Sequence, residues 1–265
     1  GQGDMGNLTE EQKMLLENVR RATKQKIAPA ASELDRSGEF NWNTASLLWD
    51  LGVLQIMLPE GYGGWPHHPC HTLCLCIEEI AKGCASSALN LIIQAVGSFP
   101  IVHGAREEIR DRFLSRISND RALVGYLVTE PAAGSDVASI KTTATRDRDE
   151  YVLSGTKCFA TNGGVASFYS VLARTSKEGG HRGLSFFLVE RDRPGVSVGR
   201  TENKLGQRGS NTTEVILDEV RIPAAHLLGE EGKGFLLAMN DFDMSRPAVA
   251  AQALGIAEGA FDVMV

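Results

Sequence analysis

The sequence predicts an α+β protein in which a helical domain is followed by a β domain and then by a long helix. Three observations lead to this prediction. Residues 1–120 show the apolar spacing of helices, residues 121–230 contain short runs of β-forming residues, and residues 231–265 return to helical spacing. We therefore expect an N-terminal all-α domain, a middle antiparallel β-sandwich or barrel, and the first helix of an incomplete C-terminal helical bundle.

Capping and turn residues delimit the helices of the first domain. Thr9 and Gln12 are spaced as a capping box that starts the first helix, and Pro29 is expected to bend or end it. Asn41 opens a second, short helix that Gly52 closes. Helical spacing recurs over residues 71–82, 86–103 and 105–118.

Seven short runs rich in β-forming residues make up the middle domain, and turn residues separate them. Pro223 ends this region, and a glycine-rich, charged linker follows. From Phe235 onward one long helix is expected; its apolar face needs a cover from another subunit, a folded-back domain or residues outside this sequence. The seven runs are 122–129, 140–146, 151–154, 168–174, 184–190, 196–199 and 213–217.

Composition narrows the functional class. The 265 residues are 43% hydrophobic and carry a formal net charge of −6, which argues against a nucleic-acid or anionic-membrane partner. No run of uninterrupted apolar residues is long enough to span a membrane, and the N-terminus shows no secretory pattern. An odd number of cysteines, five, favours reduced thiols in a cytosolic or matrix compartment.

One cluster of histidines and cysteines, residues 67–76, resembles a metal-binding sequence. No second pair of ligands follows at zinc-finger spacing. On a helix, Cys74 and Cys76 would also point to different faces. We therefore predict no metal site.

Two similar motifs carry most of the functional information. Residues 126–136, YLVTEPAAGSD, form an apolar strand that stops at Pro131 and opens into a turn of small residues. Such a turn lets a large polar ligand approach the backbone, and Thr129 and Ser135 add hydroxyl groups. Residues 157–164, KCFATNGG, repeat the layout of strand, threonine and glycine turn. The repetition favours a ligand site over an ordinary surface turn.

The two motifs and the domain order strongly resemble the acyl-CoA dehydrogenase family, and its straight-chain members most closely. The similarity extends over nearly the whole chain. Further segments that resemble the family are GYGG at 61–64, GQR at 206–208, FDMSR at 242–246 and RPAVAAQALGIA at 246–257.

The resemblance implies an FAD-dependent oxidoreductase that introduces an α,β double bond into a fatty acyl-CoA thioester. In the family a base removes a proton from Cα while the flavin takes a hydride from Cβ, and the electrons pass to an electron-transfer flavoprotein. A homo-oligomer, dimer or tetramer, is also implied. The expected location is the cytoplasm of a bacterium or the mitochondrial matrix of a eukaryote, and the protein is not expected to be secreted.

By the same resemblance, the flavin contacts the first motif at Tyr126, Val128, Thr129, Gly134 and Ser135. On its other side it contacts Phe159, Ala160 and Thr161. The family usually has tryptophan where Phe159 stands, so the ring is kept but an N–H donor is lost. For Phe159 taken alone, packing in the core is an equally good interpretation.

Acyl-CoA is expected to contact Ser135 and the segment Asp243, Met244, Ser245 and Arg246. Family position also places Ile92, Val96 and Phe99 beside the acyl chain, and their bulk favours a straight, apolar chain. Glu202 matches a position used towards electron-transfer flavoprotein in close relatives.

No catalytic base is expected in this chain. A minority of the family carries the base at the position of Ser245, and a serine cannot take the proton alone. Glu258 is too far along the helix, and Asp243 fits a helix start or a ligand contact better. We expect the base C-terminal to Val265.

Three alternatives to the dehydrogenase remain open at this point. The chain could be a non-catalytic acyl-CoA-binding or interaction fragment of the same family, which the missing base favours. It could be an acyl-CoA oxidase, in which oxygen reoxidises the flavin. A metal- or DNA-binding relative is disfavoured by the net charge of −6 and the lack of ligand spacing.

Overall fold

The computed structural model describes residues 8–177 and 180–265, and helices fill the first part of the chain. Helix α1 is followed by a π-helical turn, Thr23–Ile27, which leads into α2. Short 3-10 segments lie at Val53–Gln55, Glu60–Tyr62, Val137–Ser139, His181–Gly183 and Ala224–His226. The helices of this part are α1 (Glu10–Ala22), α2 (Ala28–Ser37), α3 (Trp42–Asp50), α4 (Pro69–Gly83), α5 (Ala85–Gly104) and α6 (Glu107–Asp120).

Caps begin the helices where the sequence predicts them, but one predicted break is absent. The Thr9 hydroxyl accepts a hydrogen bond from the Gln12 N–H and the Gln12 side chain accepts one from the Thr9 N–H, as a capping box requires. The prediction that Pro29 ends the first helix is wrong. Pro29 stands in the first turn of α2, where a missing N–H costs little, and the helix runs on to Gly38 (φ 67°).

One eight-stranded sheet forms the middle of the described chain. The strands follow the order β6-β7-β3-β2-β4-β5-β8, and β1 pairs with β4. The predicted antiparallel pairing is found throughout except at β1–β4 and at a single β2–β4 pair, which are parallel. The strands are β1 (Val124–Leu127), β2 (Thr143–Asp147), β3 (Glu150–Thr161), β4 (Phe168–Arg174), β5 (Leu184–Glu190), β6 (Val196–Thr201), β7 (Thr212–Pro223) and β8 (Leu227–Leu228).

Several strand boundaries differ from the predicted runs, and those of β2 and β3 do so for identifiable reasons. Strand β2 begins at Thr143 rather than 140, because the N–H groups of Lys141 and Thr142 donate to the Glu130 carboxylate. Strand β3 continues beyond Ser154 to Thr161, so the second motif is the end of the same strand. Both motifs therefore belong to one sheet.

The sheet separates two apolar cores. On one face, Phe168 and Phe186 pack with the helices in the larger core. On the other face, residues such as Tyr151, Tyr169 and Phe187 form a core within the β domain. The larger core therefore joins the helices to the sheet, and it places β1 beside α5.

The last helix, α7 (Gly234–Met264), packs against α4 and α5. The approach to α4 is very close, because a Cβ atom at Gly255 would lie 2.2 Å from the Glu78 carbonyl oxygen. Other apolar side chains of α7 are exposed, which agrees with the expectation that its apolar face needs a further cover. They are Leu236, Met244, Val249, Leu254, Ile256, Phe261, Val263 and Met264.

Two composition-based expectations can be compared with the described residues. Helix α5 is, among them, the one helix long and apolar enough to cross a membrane, and 67% of its most apolar window is buried inside the protein. The five cysteines are free. No group of three or more metal-ligating side chains occurs within residues 8–177 and 180–265.

Candidate functional site

The two sequence motifs meet at an open cleft of about 440 Å³. Strand β1 and the turn after it supply one side, and the end of β3 supplies the other. A backbone hydrogen bond of 2.9 Å from the Cys158 N–H to the Thr129 carbonyl joins the two sides. The lining residues are Ile93, Tyr126, Val128, Thr129, Gly134, Ser135, Val137, Cys158, Phe159, Thr161 and Phe242.

Phe159 is turned into the cleft by an irregularity of β3. Lys157 pairs with Val215 and Ala160 with Thr213, so two residues of β3 oppose one residue of β7. In this bulge Phe159 takes a left-handed conformation (φ 54°), which is uncommon for a bulky residue. Its side chain is 62% exposed, which excludes the core-packing interpretation. Strain of this kind often accompanies a functional site.

Ala160 is the predicted flavin contact whose side chain lies elsewhere. It is buried in the β-domain core with Leu127 and Tyr169, because successive side chains of a strand point to opposite faces. Any contact of Ala160 with a ligand in the cleft would have to come from its backbone.

The turn of the first motif is compact and open to a ligand. Glu130 and Ala133 exchange two backbone hydrogen bonds, of 2.9 and 3.1 Å. Gly134 follows, and a Cβ atom added there would meet no other atom within 4 Å. Ser135 is exposed beside it. The turn therefore leaves room for a bulky group next to its backbone.

A buried ion pair fixes the two motifs to each other. The Lys157 ammonium donates to Oε1 of Glu130 at 2.9 Å and to the Val128 carbonyl at 2.9 Å. The same carboxylate accepts from the N–H groups of Lys141 (2.7 Å) and Thr142 (2.9 Å). The hydrogen bonds of Glu130 and Val128 thus position Thr129, which lies between them.

The titration of this pair reflects its burial. Burial would raise the pKa of Glu130, but Lys157, Thr142 and Lys141 outweigh it and hold that pKa below its usual value. Burial lowers the pKa of Lys157 to about 8, against the attraction of Glu130. At neutral pH both groups are therefore charged, and the pair is intact.

A second, apolar pocket lies between α5 and α7. Its volume is about 20 Å³, which is room for roughly one water molecule. It brings together Ile92, Val96 and Phe99 with Met244 and Ser245, which the sequence places far apart. The remaining lining residues are Met57, Leu73, Ala95, Asp241 and Ala248.

Two of the predicted substrate residues stand at the surface instead. Asp243 and Arg246 are exposed and form an ion pair one helical turn apart on α7. Ser245 donates its hydroxyl hydrogen to the Phe242 carbonyl at 3.2 Å. Asp243 and Arg246 could reach only the outer part of a ligand in the pocket.

Comparison with known proteins identifies the family. Residues 9–121 match the N-terminal domain of acyl-CoA dehydrogenases, and residues 125–220 match their middle domain. Cyclohexane-1-carbonyl-CoA dehydrogenase of Geobacter metallireducens is 60% identical over 261 residues, which cover 98% of this chain and 68% of that protein. The chain belongs to the acyl-CoA dehydrogenase family. It spans about two thirds of the length of this relative.

Solved structures of acyl-CoA dehydrogenases have the same fold. Butyryl-CoA dehydrogenase from Megasphaera elsdenii superposes with a TM-score of 0.91 at 37% identity, covering 96% of this chain and 67% of that one. A glutaryl-CoA dehydrogenase from Mycobacterium smegmatis, in complex with FADH2, gives 0.87 at 28% identity, covering 96% and 64%. The family is one of flavoprotein oxidoreductases that act in acyl-CoA metabolism.

The cleft suits the flavin that this family uses. An isoalloxazine ring is flat and apolar on its faces, and it is polar along its edges. The exposed ring of Phe159 offers an apolar surface, and the hydroxyls of Thr129, Ser135 and Thr161 offer donors along the same cleft. The residues present therefore fit a bound flavin.

Sequence reasoning missed one buried acidic residue of the apolar pocket, Asp241. It is only 1% exposed and lies beside Tyr126 on the wall of the apolar pocket. Burial raises its pKa to about 8, and the Tyr126 hydroxyl opposes this. Oδ2 of Asp241 and the Tyr126 hydroxyl have no hydrogen-bond partner of ordinary geometry among the described residues. The available signal was an acidic residue on the stripe Ala238, Asp241, Ser245 and Ala248 of α7.

Proposed function

We propose that this chain binds FAD and an acyl-CoA thioester as part of an acyl-CoA dehydrogenase that introduces an α,β double bond. The observation that carries the proposal is the position of the cleft. Tyr126 lines the cleft and touches Asp241, which lines the apolar pocket, so a flat cofactor and an acyl group would lie side by side. The proposed reaction needs this proximity.

FAD would be held by the residues of the cleft. Bound FAD supplies the acceptor for the hydride that leaves Cβ of the acyl group. Thr129 and Thr161 donate hydrogen bonds from their hydroxyls, and Phe159 packs its exposed ring against the ligand. Tyr126, Val128, Gly134 and Ser135 complete the contacts, and Ala160 contributes through its backbone.

The acyl group would enter between α5 and α7. Ile92 and Val96 form its apolar wall, and Met57 and Met244 have flexible side chains that can move to enlarge the small pocket. The Geobacter relative is named for a cyclohexane-1-carbonyl group. We extend that substrate class, a compact and uncharged acyl group, to this protein alongside the straight chain expected from the sequence.

We place the proton acceptor for Cα outside the described residues 8–177 and 180–265. Asp243 is exposed and paired with Arg246, and Ser245 has no carboxylate. The CoA part of the substrate instead contacts Asp243, Met244, Ser245 and Arg246, together with Ser135.

The protein works in the cytoplasm as a homo-oligomer. It passes electrons to an electron-transfer flavoprotein near Glu202, whose carboxylate accepts a hydrogen bond of 3.1 Å from Arg200.

A flavin spectrum tests the proposal. The natural protein that contains this chain is loaded with FAD and mixed with cyclohexanecarbonyl-CoA without oxygen, and loss of the visible flavin band is expected. Thr129→Val and Thr161→Val should weaken FAD binding, whereas Thr145→Val, an exposed strand position away from the cleft, should not. A colourless protein that takes up no FAD would contradict the proposal.

The same experiment separates the two alternatives. A non-catalytic acyl-CoA-binding fragment would take up the ligand without bleaching the flavin; the lack of a suitable base among residues 8–177 and 180–265 is the observation that favours it. An oxidase would bleach as the dehydrogenase does but would regain colour quickly once oxygen is admitted.

A further inference from the structure

The apolar pocket between α5 and α7 contains one ionisable side chain among the described residues that line it. That residue is Asp241; the others are apolar except for Ser245. An acyl group that enters this pocket must therefore pack against a carboxyl group. This arrangement is unusual because an ionised carboxylate is costly to enclose without a partner.

We propose that Asp241 is a specificity-determining residue, which admits uncharged acyl groups only in its protonated form and excludes acyl groups that end in a carboxylate. The inference rests on the proposed function, because it assumes that the pocket receives the acyl part of an acyl-CoA thioester. It concerns which acyl groups bind, and assigns Asp241 no part in removing the Cα proton.

The charge environment of Asp241 supports this role. Tyr126 is the one titratable group that shifts the pKa of Asp241, and no described cation shifts it. Burial lowers the pKa of His103 and raises the pKa of Cys74 and of Cys76 to about 12, so these groups are neutral between about pH 7 and 9. The other titratable groups on the packed elements are Tyr126 on β1, His103 on α5, Cys70, His71, Cys74, Cys76, Glu78, Glu79 and Lys82 on α4, and Asp243, Arg246, Glu258 and Asp262 on α7. None of these groups lines the pocket, where Asp241 faces only apolar side chains and Ser245 among the described residues.

The direction of the pH effect follows from burial. With a pKa of about 8, the Asp241 carboxyl is mostly protonated at pH 7. An apolar acyl group in the pocket removes the remaining access to water and further disfavours the ionised form. Binding therefore favours the proton, and affinity should be constant below about pH 8 and fall above it. The dissociation constant then rises about tenfold at one unit above the pKa.

An acyl group that ends in a carboxylate faces a different obstacle. It would bring a second carboxyl group into a pocket whose described lining residues include no cation. At pH 7 Asp241 is mostly protonated, and the ionised end of the acyl group would be enclosed in an apolar site without a compensating cation. Above about pH 8 it would also be repelled by the Asp241 carboxylate. Glutaryl-CoA should therefore bind much more weakly than a neutral acyl-CoA of similar size.

Binding of cyclohex-1-ene-1-carbonyl-CoA to the FAD-loaded protein provides the test. This ligand already carries the α,β double bond, so calorimetry measures binding without Cα–Cβ dehydrogenation. Between about pH 7 and 9 the dissociation constant of the wild type should rise about tenfold, and that of Asp241→Asn should stay constant. Asp218→Asn, an exposed carboxyl on β7, is the matched control and should behave as the wild type. At about pH 9, where Asp241 of the wild type is ionised, glutaryl-CoA should gain affinity in Asp241→Asn.

A second measurement needs no variant. Titration of the wild type at about pH 9 in two buffers of different ionisation enthalpy should show uptake of close to one proton per acyl-CoA bound, and none with free CoA. Affinity independent of pH, the same slope in Asp241→Asn, or equal binding of glutaryl-CoA would overturn the inference. Loss of dehydrogenation with normal binding in Asp241→Asn would also overturn it, by making Asp241 a catalytic base. No acyl-CoA binding at any pH would instead remove the proposed function itself.

Discussion

The buried pair between Lys157 and Glu130 yields a quantitative prediction about what holds the cleft together. The side chains of Lys157 and Glu130 are 0% and 6% exposed, and their charged atoms are 2.9 Å apart. Lys157→Met keeps the length of the side chain but removes its charge. Glu130 would then retain only the N–H groups of Lys141 and Thr142, and the Val128 carbonyl would lose a donor. We expect the free energy of unfolding to fall by about 3–5 kcal/mol, the usual cost of breaking a buried pair.

Urea denaturation followed by far-ultraviolet circular dichroism measures this loss. Tryptophan fluorescence would not report on the β domain, because the three tryptophans, Trp42, Trp49 and Trp65, all lie in the helical part of the chain. Circular dichroism is therefore used. Lys24→Met, a change at an exposed helical position, should stay within about 0.5 kcal/mol of the wild type. Adding Glu130→Gln to Lys157→Met should recover part of the loss, since no uncompensated charge remains buried. A Lys157→Met protein as stable as the control would refute this reasoning.

Three further predictions concern packing, capping and the cleft. Gly255→Ala should lower the melting temperature, because the added Cβ would meet the Glu78 carbonyl at 2.2 Å, whereas Gly206→Ala, with no atom within 4 Å, should not. Thr9→Ala should cost about 1 kcal/mol in urea denaturation through loss of the cap, and an unchanged midpoint would contradict the capping role. Phe159→Ala should raise the dissociation constant of FAD roughly fivefold, corresponding to about 1 kcal/mol of aromatic packing, as measured by fluorescence titration; unchanged affinity would exclude the ring as a contact.

Local sequence patterns were sufficient to predict the order of the helical part, the β part and the last helix, whereas the meeting of the two motifs was implied by the resemblance to the family. The capping box at Thr9 depends on residues three apart, and it forms as predicted. Thr129 lies two residues after β1, Thr161 is the last residue of β3, and both line the same cleft. The cap and the repeated layout could be predicted because each is encoded within a few neighbouring residues.

Features that depend on distant partners could not be predicted in the same way. The parallel pairing of β1 with β4 joins residues more than forty positions apart, Val124 and Phe168 among them. The bulge that turns Phe159 outward depends on the register with β7, and that register also places Ala160 in the core. The π turn before Pro29 keeps the helix continuous where a local rule favours a break.

Two buried carboxyl groups in this protein show why burial alone does not assign a role. Glu130 and Asp241 are 7% and 1% exposed, and both stand next to residues of the cleft. Burial raises the pKa of both carboxyl groups. Around Glu130, the Lys157 ammonium and the N–H donors outweigh this effect, whereas the surroundings of Asp241 do not. Glu130 therefore remains charged at all but acidic pH, and it can serve as a permanent structural link between the motifs.

With a pKa of about 8, Asp241 changes charge near physiological pH, so its protonation state depends on what occupies the adjacent pocket. A purely structural carboxyl in that position would be expected to have a cation or several N–H donors, as Glu130 does. Asp241 has no such partners among the described residues, so its buried carboxyl group is stable there only while it keeps its proton. A ligand that excludes water favours the same protonated state, whereas an acyl group that ends in a carboxylate brings in a second carboxyl group for which the pocket has no described cation. The selectivity that we propose for the pocket therefore follows from the partners that Asp241 lacks among the described residues.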